Sequence, residues 1–266
     1  MAREKKRKAT GKKGSRASDI LWKLAMAVFL CIFVVSAAKL IQIFWNYHKA
    51  DQVSDAFMIF KPTSSFLDGV DPGEIELNKP DDEPLVNPSL IEMRSQYPDV
   101  CGWISIGDTN VDYPIALGED NDYYLHHALD GQETTYGTPF MDYRCARDFS
   151  GVNHIVYGHH TKTKKMFTAL TYFKGKDFFD EHTEAVLFVP EDTYRLEIMA
   201  CLLIQSDDEV IYDPYVDYET FVNYVKRKAM YYRETELSEG DTFLTLSTCS
   251  YEFENARTVL VAKIVK

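Results

Sequence analysis

Apolar positions fall into three textures along this chain. Residues 20–45, ILWKLAMAVFLCIFVVSAAKLIQIFW, are apolar on every side, with Lys23 and Lys39 the only charges. A helix needs roughly 20 such residues to cross the hydrocarbon of a bilayer, so the run predicts one transmembrane helix. Trp22 and Trp45 bracket it as interfacial aromatics do, and the long stem of Lys39 can snorkel to the headgroups. Residues 46–60, NYHKADQVSDAFMIF, keep helix-like spacing and are expected to continue that helix outward. Residues 61–84 then carry seven acids, two lysines and four prolines, which is linker composition.

From residue 85 the period shortens. NPSLIEMRSQYPD predicts a short helix ended by Pro98. After it come CGWISI, VDYPIAL, HIVYGHH, EAVLFVP, YRLEIMACLLI, TFLTLS and RTVLVAKIV, punctuated by Gly, Pro, Asn and Asp. Short strands between turn residues indicate a sandwich or barrel. Two helical segments interrupt them. KKMFTALTYF puts Met166, Phe167, Leu170 and Phe173 on one side, and YETFVNYVKRKAMYYRETE puts Phe221, Val222, Val225 and Met230 on an apolar stripe. The expected organisation is a basic tail (1–19), an anchor (20–45), a helix and linker (46–84) and a mainly β domain with helices (85–266).

Charge orients the anchor. Residues 1–19 hold eight Lys/Arg against two acids, so of the overall −12 the remainder carries about −18. Basic residues before a span hold that end in the cytoplasm, which leaves the acidic domain outside, and an acidic domain does not fit nucleic acid as a partner. A cleaved signal peptide is the rival reading, with VSAAK a poor small-residue site that the apolar run overshoots.

Five cysteines are an odd number, and no CxxC pair or Cys/His zinc spacing is present. Cys31 lies in the span, and an exported fold built on disulfides would use more cysteines, evenly paired, so at least one thiol outside the membrane is expected to be free. In TFLTLSTCS, alternation sets Thr245, Ser247 and Cys249 on one strand face and Leu244, Leu246 and Thr248 on the other. Eight positions beyond Cys249, Arg257 opens the last strand. If the two strands pair, the thiol and the guanidinium meet at one end of the sheet. A neutral thiol is a poor nucleophile, so a working cysteine needs a base or positive surroundings. Arg257 supplies permanent charge and donors for an oxyanion. Of the seven histidines, His159 and His160 emerge at a strand end where Gly158 breaks NHIVYGHHT. Taken singly, paired histidines are commonly surface residues and a strand cysteine is commonly a small core residue.

The combination of YGHH, TLSTC and an arginine opening the final strand resembles the sortase family. DVCGWISIGDTNVDYPI, DNDYYLHH, GTPFMDYRCARDFSGVNHIVYGHH and MFTALTYFKGKDFF narrow the resemblance to class B, over residues 85–266. It implies an eight-stranded sortase-type β-barrel with an N-terminal helical segment. It also implies Cys249 as nucleophile, His159 as general acid/base and Arg257 as the oxyanion and substrate-orienting group. Ser247, Asn121, Leu125 and Ile211 match positions lining the substrate groove. Two departures stand out: His160 takes a place often held by Asn, and SYEFENA has no acid before Glu252.

By the same resemblance the enzyme is a monomer of the cell membrane that cleaves an Asn/Ser-Pro-x-Thr-x sorting signal of exported proteins. It passes the acyl group through Cys249 to an amine of peptidoglycan precursor or of a pilin, without a metal or other cofactor. Two rivals share these residues: an exported cysteine peptidase that releases product to water, and a non-catalytic surface-adhesion module.

Overall fold

The computed structural model of the chain describes residues 16–62 and 84–265, with side chains from residue 19. The basic residues 1–15 and most of the expected linker, 63–83, lie outside the described residues. The chain divides between His48 and Lys49 into two compact units. In the first, the apolar run is helical, as part of α1 (Arg16–Ala56), and is long and apolar enough to cross a membrane. Leu21, Phe29, Phe44 and Trp45 are among its exposed side chains.

The second unit is built on nine strands: β1 (Val100–Ser105), β2 (Asp112–Ala116), β3 (Phe140–Met141), β4 (Asn153–Tyr157), β5 (Glu184–Val189), β6 (Asp192–Gln205), β7 (Tyr231–Tyr232), β8 (Thr242–Cys249) and β9 (Ala256–Val265). Eight of them close a barrel in the order β5-β1-β2-β3-β4-β8-β9-β6, with β6 returning to pair β5. Closure removes the unpaired edges that an open sheet of this size would present. The two-residue β7 lies outside the ring, on the later half of β6. Four further helices decorate the barrel: α2 (Pro88–Gln96), α3 (Tyr123–His126), α4 (Lys176–Glu181) and α5 (Tyr218–Lys228).

Strand alternation sorts the core. Leu244 and Leu246 of β8, Val156 of β4 and Leu260 of β9 point into the barrel with Ile104, Ile115 and Leu196. Phe167, Leu170 and Phe173 close that interior from the 3-10 helix Phe167–Lys174. Each fully buried Phe or Leu contributes roughly 1.5–3 kcal/mol. On the outer face, Phe221, Val222 and Val225 of α5 cover Phe243 and Val259. A third cluster joins Phe57, Phe60, Leu90 and Met93 to Trp103 and Phe188, so residues just after Lys49 belong to the folded unit.

Two positions differ from the periodic reading. Met166 is buried but precedes its helix, because its backbone is left-handed (φ 54°) and cannot continue a right-handed turn. Met230 is 42 % exposed rather than on the α5 stripe. The helix ends at Lys228, and the Met230 N–H donates to Cys201 O (2.8 Å), so the sheet edge captures the chain before a further helical turn can form. At its other end α5 is capped by Asp217, whose carboxylate accepts from Thr220 N (2.9 Å).

One glycine decides how β4 leaves the barrel. Gly158 donates to Ser247 O (3.0 Å) and accepts from Thr248 Oγ1 (2.7 Å), while a Cβ there would overlap the buried Phe167 ring. Gly158→Ala should therefore displace either the aromatic plug or the strand end, at a cost of about 1–3 kcal/mol in urea unfolding. An unchanged unfolding midpoint would mean that Phe167 yields freely.

Candidate active site

The site is assembled by register. β4 and β8 run parallel with Tyr157 opposite Ser247, and the Gly158 N–H to Ser247 O bond carries that pairing one residue further. Carried two residues beyond the Tyr157–Ser247 pair, the same offset puts position 159 level with position 249. β8 and β9 run antiparallel with Cys249 opposite Arg257. Directly opposed residues have Cβ atoms about 5 Å apart, so the thiol and the guanidinium stand at facing strand ends. Tyr157, Ser247 and Cys249 share the outward face, and Leu246 and Val156 the inward one.

His159 and His160 each have one ring nitrogen fixed. His159 Nε2 lies 2.7 Å from Leu125 O, and a carbonyl can only accept, so this nitrogen carries the proton. Nδ1 has no hydrogen-bond partner among the described residues and is the nitrogen left to exchange a proton. His160 Nδ1 donates to Cys249 O (2.9 Å), and its ring packs 5.2 Å from that of Tyr251. His160 thus holds the main chain of the cysteine from the opposite side. His127 and His182 are used locally, bonded to Tyr123 O and Phe178 O four residues back.

The thiols separate by environment. All five are free. Burial pushes Cys101 and Cys201 up to about 12 and Cys145 up to about 11, so these three stay protonated and inert. Cys249 is only half-buried, at the strand end. Arg257 donates to Ala256 O (3.0 Å) and forms no ion pair with a described residue, which leaves donors for a ligand. Glu252, the first acid after the cysteine, is paired with Lys174. Burial tends to raise its carboxyl, and Lys174 and Ser250 outweigh that and hold it low. Its carboxylate is thus committed to Lys174.

The expected groove residues have mixed positions. Leu125 is half-buried and supplies the carbonyl under His159. Gly137, at φ 61°, packs against the same carbonyl so closely that any Cβ would overlap it. Asn121 is half-buried, with its amide bonded to Asp142 Oδ2 (2.9 Å) and accepting from Tyr143 N (3.1 Å). Ser247 is buried and shares a 2.9 Å hydrogen bond with Tyr212 OH. Ile211 requires a correction: its side chain is 0 % exposed and packs against Phe243 and Val259, so it supports the loop from beneath instead of lining the groove. Its neighbour Tyr212, which sequence reasoning missed, faces the site. Burial pushes its phenol up to about 12, against the pull of Ser247 and Arg257. The signal was available, since Ile211 and Tyr212 alternate in one short loop.

Comparisons with known proteins identify the family. A family model described as the sortase domain matches residues 104–265. Sortase B of Listeria monocytogenes is 30 % identical over 256 residues, 94 % of this chain and 99 % of that protein. Among solved structures, sortase B from Bacillus anthracis in complex with AAEK1 aligns with a TM-score of 0.68 at 27 % identity, over 84 % of this chain and 99 % of that one. A Staphylococcus aureus sortase B–substrate complex aligns at 0.63 and 28 %, over 68 % and 86 %. With its barrel and its match over most of its length, the chain belongs to the sortase family, in class B, the cysteine transpeptidases.

Proposed function

We propose that Cys249 is the nucleophile, His159 the general acid/base and Arg257 the oxyanion donor in transfer of a sorting signal of the Asn/Ser-Pro-x-Thr-x type. The observation that carries this reading is the row of three at the β4, β8 and β9 ends, with one imidazole nitrogen and the guanidinium donors still available. Cys249 Sγ attacks the threonine carbonyl and its proton passes to His159 Nδ1. The carbonyl electrons move onto oxygen, where Arg257 donates to the developing charge. Collapse of this intermediate breaks the peptide bond, and the proton on His159 goes to the departing amine. The product is a thioester, which keeps the energy of the peptide bond in a form that an amine can attack. A peptidoglycan-precursor or pilin amine then loses its proton to His159, forms the new amide and releases the thiol.

Residues 20–45 are the anchor in this reading, with residues 1–19 cytoplasmic and the barrel outside. Lipid-linked acceptors and exported clients both occur at that surface, where tethering raises their effective concentration. Arg147 donates to Pro98 O and Val100 O (3.1 Å each), which ties down the start of β1.

Four outcomes follow. The full chain in detergent, given Pro-x-Thr peptides, should form an acyl adduct on Cys249 visible by mass spectrometry, and added amine should turn it into ligated product. Cys249→Ala should give neither, and exclusive hydrolysis in saturating amine would point to a peptidase instead. Arg257→Lys should lose about 10²–10³ in kcat, because a single ammonium replaces a fork of donors. His160→Asn should retain activity through an amide N–H to Cys249 O, while His160→Ala should lose about tenfold or less. Deletion of residues 1–45 should move the protein from the membrane fraction to the soluble one, and continued membrane association would refute the anchor.

A further inference from the structure

Beside the reacting row lies a charged pair that no step above uses. Asp142 is 0 % exposed, and its carboxylate accepts five hydrogen bonds. Oδ1 takes Arg144 N (3.0 Å) and Nε (2.9 Å). Oδ2 takes Arg144 Nη2 (2.9 Å), Asn121 Nδ2 (2.9 Å) and Tyr157 OH (3.0 Å). Burial alone would raise this carboxyl, and the hydrogen bonds from Arg144, Asn121 and Tyr157 outweigh it and hold it below the usual range. A buried carboxylate so fully bonded is costly to disturb, since removing a partner leaves an uncompensated charge.

The partners of the pair come from different walls of the site. Asn121 belongs to the loop that leads to Leu125, whose carbonyl holds His159. Tyr157 is the end of β4. Arg144 reaches on, its Nη2 donating to Tyr212 O (2.8 Å) in the loop between β6 and α5. Tyr215 OH of that loop donates back to Arg144 O (3.3 Å). Tyr212 in turn bonds Ser247 and stacks on Tyr157, ring centroids 6.0 Å apart. One carboxylate and one guanidinium therefore connect the two facing loops and the strand between them. The Asn121 amide has given its oxygen to Tyr143 N and one N–H to Asp142, which leaves its second N–H for a ligand.

We infer that Asp142 and Arg144 form a clamp that sets the spacing of loops 117–125 and 206–217, and through it the affinity for the peptide. Both are positioning residues: they act through Asn121 and Tyr212 and leave the thiol alone. The inference rests on the reading of these loops as the peptide groove. The loop carrying Tyr212 has a second tie, Asn153 Nδ2 to Ile211 O (2.9 Å) and Asp213 O (3.2 Å), so losing Arg144 should loosen it without unfolding the barrel.

The test uses the full chain in detergent, with Arg144→Gln, Arg144→Lys and Asp142→Asn. Three quantities are read: amide hydrogen exchange in residues 117–125 and 206–217, kcat and KM for a Pro-x-Thr peptide, and the rate of Cys249 alkylation by iodoacetamide. Arg144→Gln should raise KM about tenfold, the scale of one charge-assisted hydrogen bond, with kcat and alkylation within about twofold of the wild type. Exchange in both loops should quicken about fivefold or more. Arg144→Lys should fall between, because one ammonium cannot span both Asp142 and Tyr212 O. Asp142→Asn should show the larger effect, and if it fails to fold, the half-exposed Arg144 variants decide the matter. Folded Arg144→Gln with exchange and KM within twofold of the wild type overturns the clamp, as does a loss confined to kcat and alkylation. A wild type that cleaves no Pro-x-Thr peptide overturns the proposed substrate, and the exchange comparison then judges the clamp alone.

Discussion

The parallel pairing of β4 with β8 is the constraint on which the site depends. Neither strand is near the other in sequence, and antiparallel β9 follows β8 through a short link. Side chains in a strand alternate with period two, so a one-residue slip of β4 against β8 would send His159 to the opposite face from Cys249. That slip is blocked by the core. Leu244 and Leu246 face Val156 and Leu260 inside the barrel, and Thr245 Oγ1 bonds Asn153 Oδ1 (2.6 Å) in a buried pair. Hydrophobic burial within the barrel thus decides where the polar residues at its rim stand.

Gly158 shows the same coupling at one residue. Without a Cβ it passes over Phe167, and its N–H and carbonyl bond Ser247 and Thr248. Phe167 N returns a hydrogen bond to His159 O (3.0 Å). The catalytic loop is therefore fastened to the aromatic plug that closes the core, and disorder in one is transmitted to the other.

Much of this was legible in residue order because the information is local. The alternation of TFLTLSTCS puts Cys249 on the outer face, and the short link to Arg257 limits the strands to a hairpin. The apolar run 20–45 is long enough to stand by itself. The two-residue strands β3 and β7 carried no periodic signal, because two residues cannot display a period. Met230 misled for a different reason: its spacing fits α5, and only the N–H bond to Cys201 O, set by tertiary pairing, takes it out of the helix. The Asp142–Arg144 pair lies within FMDYRC, yet its contacts were invisible there, since its partners Asn121, Tyr157 and Tyr212 are drawn from three separate segments. Contacts of that kind exist only once the chain has folded.

The polar bookkeeping of the rim points to where chemistry is possible. Buried polar groups in proteins are overwhelmingly satisfied, because an unpaired one costs about 1–3 kcal/mol. Asp142 accepts five bonds, Ser247 and Tyr212 satisfy one another, and His160 spends its proton on the Cys249 carbonyl. His159 Nδ1 and the outer donors of Arg257 are different, open near a half-buried thiol. A folded protein tolerates such open groups where solvent or substrate can reach them. The satisfied groups hold the walls still, and in the proposed mechanism the open ones meet a carbonyl and exchange a proton. Rigidity and reactivity are thereby assigned to different residues of one row, and a peptide entering between the loops would supply the hydrogen bonds that the protein itself withholds.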